Sequence, residues 1–244
     1  MAALGLLVLG AIIGFIINET LSRSLGFADR RRARRNPLVV HVETDPAVIW
    51  AGMPPWIGAR FLMPLDADIS SPPASCPHWR SWAHALGGVD SHLTQVRITL
   101  TAKQALLVVV DGLRVNVHSR KSVPPWRSVI CAVGGASISP RRAEIRLSQA
   151  DPPTVEWAAG DGDVVGVPSF SVSTSEVEML HVWAYVEDEW VEWTAELLVL
   201  VDGHRQVINI SNNGKRFVTS GAAGAASEHM WVSGSDHWVP PLAG

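Results

Sequence analysis

The stretch Trp190-Val-Glu-Trp-Thr-Ala-Glu-Leu-Leu-Val-Leu-Val201 decides the fold class of this chain. From Val191 onward every second residue is apolar, and Glu192, Thr194 and Glu196 lie between the first of them. Because successive side chains of a β-strand point to opposite faces, this period of two predicts a strand with one buried face. The strand's first residue falls on the opposite, outward face.

Segments with the same period of two recur along the chain. Val96, Ile98 and Leu100 alternate with polar residues, and short apolar segments separated by Gly- or Pro-rich turns continue to Val218. The sequence therefore predicts an all-β fold. We expect one or two antiparallel β-sandwich units of immunoglobulin-like type after an N-terminal transmembrane helix.

Three dipeptides mark the expected turns: Asp111-Gly112, Asp202-Gly203 and Asn213-Gly214. Each tolerates the positive φ angles of a tight turn, so a hairpin is predicted at Asp111-Gly112 and a turn at each of the other two. The segment Leu106–Arg114 also matches Leu197–Arg205 at seven of nine positions. Duplication of a β unit and convergence on one hairpin signal both explain this match.

Changes in composition divide the chain into segments. We assign 1–25 to an anchor helix, 26–90 to a basic stop and Pro-rich linker with short elements, 91–160 and 161–221 to two β units, and 222–244 to a flexible tail. Within the linker, Trp79, Trp82 and Leu86 follow helical spacing. This spacing predicts a short helix from His78 to Leu86, ended by the glycines that follow.

The N-terminal segment is apolar or Gly from Ala2 to Ile17. At about 1.5 Å per residue, a helix from Met1 to Leu25 is long enough to cross a bilayer. No basic region precedes it, as it would in a cleaved signal peptide. We therefore expect a single-pass anchor that the protein keeps.

Five basic residues follow this helix: Arg30, Arg31, Arg32, Arg34 and Arg35. The positive-inside bias of membrane proteins then predicts a body on the cytoplasmic side of the plasma membrane. The same side chains suit contact with anionic lipid headgroups, and a role as the stop signal alone explains them equally well.

A small-residue spacing lies within the anchor, at Gly10 and Gly14. This spacing lets two membrane helices approach closely and so suggests a homodimer through the anchor. The alternative is that small residues are frequent in membrane helices whatever they pack against.

Charge and cysteine content exclude two classes of protein. Six Arg against Glu19 and Asp29 give residues 1–36 a charge of +4, so the net charge of −3 leaves −7 for the remainder. An acidic body argues against nucleic-acid binding. With only Cys76 and Cys131, the chain is no disulfide-dense scaffold. We expect two reduced thiols, although the sequence also allows one bridge between them.

Candidate metal ligands are few. Cys76, His78, His84 and His92 lie close in sequence but lack the paired spacing typical of zinc sites. The acidic turns 161–163 and 187–189 lack the regularly spaced oxygen ligands of a calcium loop. We therefore assign neither a metal nor a cofactor.

Motifs of catalysis are also missing from the sequence. No G-x-S-x-G elbow, phosphate loop or G-x-G-x-x-G follows a predicted strand, so no reaction class has local support. Cys131 lies inside an apolar strand, where a buried, inert thiol is expected rather than a nucleophile.

The chain contains 11 Trp and a single Tyr. Trp183 and Trp193 fall on apolar strand faces and are predicted to be core. Trp190 falls on an outward face, and Trp231 and Trp238 fall in the polar tail. An exposed Trp stacks on sugar rings or anchors protein interfaces, unless another segment covers it.

Several turn and strand signatures carry a resemblance to a known group of proteins. They are Gly112–Arg120, Ala150–Thr154, Asp202–Arg205 and Asn213–Gly221. These stretches resemble β-rich proteins of high-GC Gram-positive bacteria, some of which have an N-terminal hydrophobic anchor. The resemblance covers about residues 96 to 221 and implies architecture and source, with no activity attached.

Two functions remain. The first is a membrane-tethered, non-catalytic module that binds a protein partner, with Trp190 as the expected contact. The alternative is an extracytoplasmic domain that binds carbohydrate or a peptide, with Trp190 or Trp126 as a stacking platform. The side of the membrane on which the body lies discriminates between them.

Overall fold

The computed structural model describes residues 36–51, 56–103, 107–134, 141–148, 151–158, 164–165, 169–231 and 237–239. The predicted anchor, with Gly10 and Gly14, and the basic cluster Arg30–Arg35 lie outside these residues. Within the described ranges, no helix combines the length and the hydrophobicity that crossing a membrane requires.

The described residues form mostly strands, with two short helices. The helices are α1 (Pro46–Ile49) and α2 (Trp79–Ala85), and the second confirms the helix predicted between His78 and Leu86. The strands are β1 (Leu38–Glu43), β2 (Trp56–Met63), β3 (Val89–Ser91), β4 (Leu93–Ala102), β5 (Val108–Ser122), β6 (Arg127–Gly134), β7 (Arg142–Arg146), β8 (Val155–Ala158), β9 (Val164–Val165), β10 (Phe170–Val172), β11 (Glu178–Tyr185), β12 (Glu189–Val201), β13 (His204–Ile210), β14 (Phe217–Ser220), β15 (Ser227–Trp231) and β16 (Trp238–Val239). The all-β class is confirmed.

The strands assemble into two sheets. The six-stranded sheet has the order β1-β4-β11-β7-β8-β9. The ten-stranded sheet has the order β10-β5-β12-β14-β3-β2-β6-β15-β16, and β13 pairs with β12 beside this path. The pairs β11–β7, β14–β3 and β15–β6 are parallel, so both sheets are mixed rather than purely antiparallel.

The larger hydrophobic core lies between the six-stranded sheet and the part of the other sheet formed by β10, β5 and β12. Ile98 and Leu180 enter it from one side, and Val115, Trp193 and Leu197 enter it from the other. Trp193 is fully buried and stacks on Phe217, with ring centroids 4.6 Å apart. Its predicted place in the core is confirmed.

A second core lies on β2, β6 and β15, beneath α2. It contains the rings of Phe61, Trp79 and Trp231 together with Cys76 and Cys131. The two cysteines form a disulfide, with Cα atoms 5.8 Å apart. The expectation of two reduced thiols is therefore wrong: the segment before α2 folds back onto β6 and brings together sulfurs 55 residues apart in the chain.

The prediction of a hairpin at Asp111-Gly112 is also wrong, because β5 continues through this dipeptide. Neither residue adopts a positive φ. Val110 pairs with Val199 and Gly112 pairs with Leu198, so the register shifts by one residue and Asp111 forms a bulge. Unbroken pairing with β12 on both sides of the bulge overrides the local turn signal.

The other two predicted turns are confirmed. Asp202 and Gly203 have φ values of 48° and 80° and join β12 to β13. Asn213 and Gly214 have φ values of 51° and 80°. Glycine is suited to these positions because the absence of Cβ removes the steric penalty of a positive φ.

Strands from the predicted segments 91–160 and 161–221 pair with each other in both sheets. β4 pairs with β11, and β5 pairs with β12 from Val108 opposite Val201 to Ser122 opposite Glu189. Val108–Leu113 and Leu197–Val201, which belong to the two matching segments, are thus antiparallel partners. Strands β15 and β16 lie within the residues predicted as the tail.

Candidate functional site

Trp190 lies at the start of β12, opposite Ser220 of β14 and Lys121 of β5. Its neighbour Val191 is fully buried, whereas Trp190 is half-buried. Alternation therefore turns the indole ring away from the larger core, to the face that the sequence predicted. The indole is partly covered there, and its Nε1 is buried without a hydrogen-bond partner among the described residues.

Trp126 contacts Trp190 from the segment that precedes β6. The ring centroids are 5.4 Å apart and the ring planes meet at 88°. The backbone N–H of Trp126 donates to the carbonyl of Pro124 at 2.7 Å, and its carbonyl accepts from the N–H of Ala226 at 2.8 Å. The structure thus brings together the two Trp residues that the sequence singled out as stacking platforms.

Charged side chains lie beside Trp190 on the same face of the sheet. Glu192 lies 3.4 Å from Lys121 Nζ and 3.2 Å from an Arg216 nitrogen. The Arg120–Glu189 pair, at 2.7 Å, lies on the other face, beside Val191. An aromatic centre within a charged, solvent-accessible rim is the usual anatomy of a protein-binding patch.

The observed positions of three other Trp residues can be compared with the positions that the sequence predicted. Trp183 was predicted to be core but is half-buried on the outer face of the six-stranded sheet, under the guanidinium of Arg142 at 4.4 Å. Trp231 was assigned to a polar tail but is only 6% exposed in the second core. Trp238 packs against Trp231, with centroids 5.2 Å apart, because β16 pairs with β15.

A buried polar network joins α2 to both sheets. Arg80 of α2 donates two hydrogen bonds to the carboxylate of Asp90, at 3.1 and 3.0 Å. His84, one turn further along the helix, lies 3.0 Å from the same carboxylate. Thr94 of β4 donates to Asp90 at 3.0 Å and lies 2.6 Å from Thr219 of β14.

The charge of Asp90 is stabilised inside this network. Burial opposes ionisation, but the Arg80 charge and the hydrogen bonds from His84 and Arg80 outweigh it and lower the pKa of Asp90 to about 2. The His84–Asp90 pair resembles part of a catalytic triad, yet within the described residues no hydroxyl or thiol bonds the His84 ring. Its contacts are those of a structural crosslink.

The candidate metal ligands do not converge. Cys76 forms a disulfide with Cys131, and His84 is hydrogen-bonded to Asp90. His78 and His92 adopt left-handed backbone conformations, with φ of 75° and 62°. In the part of the chain that the structure describes, no three His, Cys, Asp or Glu side chains are placed to hold a metal ion.

One group of side chains was missed by the sequence reasoning. Arg97, His181 and Arg142 lie side by side on three neighbouring strands of the six-stranded sheet. One signal for this group was available in the sequence. Along β11, polar or aromatic residues (His181, Trp183 and Tyr185) alternate with apolar residues that are buried (Leu180, Val182 and Ala184). The positions of the two Arg residues in neighbouring strands could not be read from sequence, because β7 and β4 pair with β11 across long separations.

The chain matches no protein-family model, no curated protein and no solved structure.

Proposed function

We propose that this protein is a membrane-tethered, non-catalytic binding module whose Trp126–Trp190 pair contacts a protein partner. The observation that carries the proposal is the edge-to-face pair of half-buried indoles, 5.4 Å apart, at the end of a charged sheet face. Trp is enriched among the residues that dominate binding energy, because it presents a large, rigid apolar surface with a polar edge.

The other polar side chains on this face of β5 and β12 are paired with one another. Further along β12, Glu196 pairs with Arg114 and Thr194 lies 2.9 Å from His118. These side chains satisfy one another across β5 and β12. The aromatic pair at the end of the face therefore offers the apolar centre, and the charged residues offer the rim.

Tethering strengthens the contact with a partner in the same membrane. The expected anchor helix ends at Leu25 and β1 begins at Leu38, so the connecting chain spans at most about 45 Å even when fully extended. A body held this close to the bilayer meets membrane proteins at a raised effective concentration, so a patch of modest area suffices.

A cytoplasmic location of the body is part of this proposal and is supported by the basic cluster Arg30–Arg35, under the positive-inside bias. The disulfide between Cys76 and Cys131 favours a second candidate function, because stable disulfides are typical of oxidising compartments. That candidate is an extracytoplasmic domain that binds carbohydrate or a peptide through the same aromatic pair.

The proposed function is tested with Trp190→Ala in the full chain, crosslinked in native membranes. A variant that keeps its β-type circular dichroism and its melting temperature but loses the crosslinked partner supports binding. Leu107→Ala is the matched control, since Leu107 is 63% exposed and lies away from the pair. A sharply lowered melting temperature for Trp190→Ala assigns the ring to folding and overturns the proposal.

The two candidates are separated by fusing reporters to the C-terminus. An active cytoplasmic reporter with silent alkaline phosphatase supports the cytoplasmic module. Active alkaline phosphatase, together with glycan or peptide binding that Trp190→Ala abolishes, replaces it with the extracytoplasmic domain.

A further inference from the structure

The outer face of the six-stranded sheet carries a row of three basic residues. Arg97 of β4 lies opposite His181 of β11, and His181 lies opposite Arg142 of β7. Neighbouring strands are about 4.8 Å apart, so the two Arg residues lie on either side of His181 in the sheet. The guanidinium of Arg142 lies 4.4 Å from the centroid of the Trp183 ring. We name this group the Arg97–His181–Arg142 row.

Aromatic rings enclose the row. The Trp50 ring, which follows α1, lies 5.3 Å from the His181 ring and 5.9 Å from the Trp183 ring. His181 is only 5% exposed and Trp50 only 4%. Charges act more strongly in such surroundings than in open solvent, because the local dielectric constant is low.

Polar atoms of the row are buried without acceptors or donors among the described residues. They are Arg97 Nε and His181 Nδ1. With the residues that the structure describes, the Arg97 side chain forms one hydrogen bond, a long one of 3.4 Å to the carbonyl of Ile49. A buried polar group left unpaired is unfavourable, so a ligand that pairs with these atoms is favoured.

The charges around the row are not balanced. Arg142 shares the carboxylate of Glu144 with Arg146, at 2.7 and 4.0 Å. Glu43, the other cross-strand neighbour of Arg97, accepts the backbone N–H groups of residues 44 and 45 with one oxygen. In the described residues Arg97 forms no ion pair, and an excess of positive charge remains.

His181 adds no charge of its own. Burial, together with the charges of Arg97 and Arg142, lowers the pKa of His181 to about 4. At neutral pH the ring is uncharged, and it keeps one N–H donor and one acceptor nitrogen.

We propose that the Arg97–His181–Arg142 row binds an oxyanion of the phosphate type, held by the two guanidinium groups and by an N–H of the His181 ring. Arg side chains are suited to this ligand because their planar forks donate paired hydrogen bonds to phosphate oxygens. The row lies on the other sheet from Trp190, so this site is independent of the proposed partner contact. The phosphate belongs either to a free anion or to a lipid headgroup.

The test uses the full chain in zwitterionic micelles, titrated with inorganic phosphate and followed by calorimetry. We expect saturable binding that Arg97→Gln weakens about ten-fold or more, the usual effect of losing a charge-assisted hydrogen bond. Arg114→Gln is the matched control. Arg114 lies on β5 of the other sheet, where it pairs with Glu196, and it shares no partner with the row.

A second readout follows His181 itself by NMR. A bound anion offsets the charges of Arg97 and Arg142, so the pKa of His181 should rise when phosphate is added. If Arg97→Gln fails to fold, Arg97→Lys is used in its place. This variant keeps the positive charge but lacks the planar guanidinium group, so it should bind phosphate more weakly than the wild type does.

A third arm replaces phosphate with bilayers that contain phosphatidylglycerol. A rise in the His181 pKa in these bilayers alone, lost in Arg97→Gln, identifies a lipid headgroup as the source of the phosphate. The proposal is overturned if neither ligand moves the His181 pKa, or if Arg114→Gln weakens binding as much as Arg97→Gln does.

Discussion

The indole rings of Trp126 and Trp190 meet edge to face, with centroids 5.4 Å apart and planes at 88°. One ring comes from a regular strand and the other from the segment that precedes β6, so the contact fixes that segment against the sheet. Edge-to-face pairs of this kind contribute about 0.5–1.5 kcal/mol beyond the area they bury. The fold itself therefore holds the two rings in this arrangement.

Asp90→Asn should destabilise the fold strongly. The substitution leaves the Arg80 guanidinium, whose side chain is only 9% exposed, without its carboxylate. Breaking a buried pair in this way costs about 3–5 kcal/mol, which urea unfolding would measure. Glu196→Gln is the control: it breaks a pair whose Arg114 side chain is 56% exposed and should cost less than about 1 kcal/mol. Equal losses would contradict a structural role for the network.

Stability should fall as the pH drops from about 6.5 to about 4, because of His181. Burial and the charges of Arg97 and Arg142 lower its pKa from 6.5 to about 4, so the unfolded chain binds a proton that the folded protein excludes. The stabilisation is complete above pH 6.5 and is lost progressively as the pH falls towards 4, by roughly 3 kcal/mol at most.

The His181→Asn variant provides the comparison for that measurement. Its free energy of unfolding should vary less over this pH range than that of the wild type. The pKa of Asp90, lowered from 3.8 to about 2, acts at lower pH: its contribution is present above 3.8 and is lost as the pH falls towards 2. Parallel curves for wild type and variant between pH 4 and 6.5 would contradict the account of His181.

The disulfide should contribute measurably to stability. Cys76 and Cys131 close a loop with a separation of 55 residues, for which loop-closure entropy predicts about 4 kcal/mol as an upper figure. A reductant should lower the melting temperature of the wild type and leave that of the Cys76→Ala, Cys131→Ala double variant unchanged. Thiols that alkylate freely in the native protein would show that the bond does not form in the cell.

Local patterns predicted the strands well and predicted their partners poorly. The strand from Trp190 to Val201 and the turn at Asp202-Gly203 follow from period and turn chemistry alone. The same dipeptide at Asp111-Gly112 becomes a bulge, because β5 gains continuous pairing with β12. No local signal distinguishes these outcomes, since the difference lies in which strand is the neighbour.

The candidate sites also combine features that the local sequence predicts with features that depend on the fold. Alternation along one strand predicted the outward face of Trp190, although its contact with Trp126 depends on a segment more than sixty residues earlier. The Arg97–His181–Arg142 row needs three strands in register, two of which come from distant parts of the chain. The Cys76–Cys131 bond likewise requires the fold of the segment before α2.

The most direct test of the proposed binding patch places a photo-crosslinking amino acid at Lys121. This residue is the cross-strand neighbour of Trp190 on β5, and its side chain is 61% exposed. The probe is activated in native membranes that contain the full chain, and the same probe at Leu107, which is 63% exposed, serves as the control.

We predict a discrete protein adduct from the probe at Lys121 that disappears when Trp190→Ala is added and is not formed from Leu107. The absence of any protein adduct at Lys121, or the same adduct in the presence of Trp190→Ala, would contradict the proposal that the Trp126–Trp190 pair binds a protein partner.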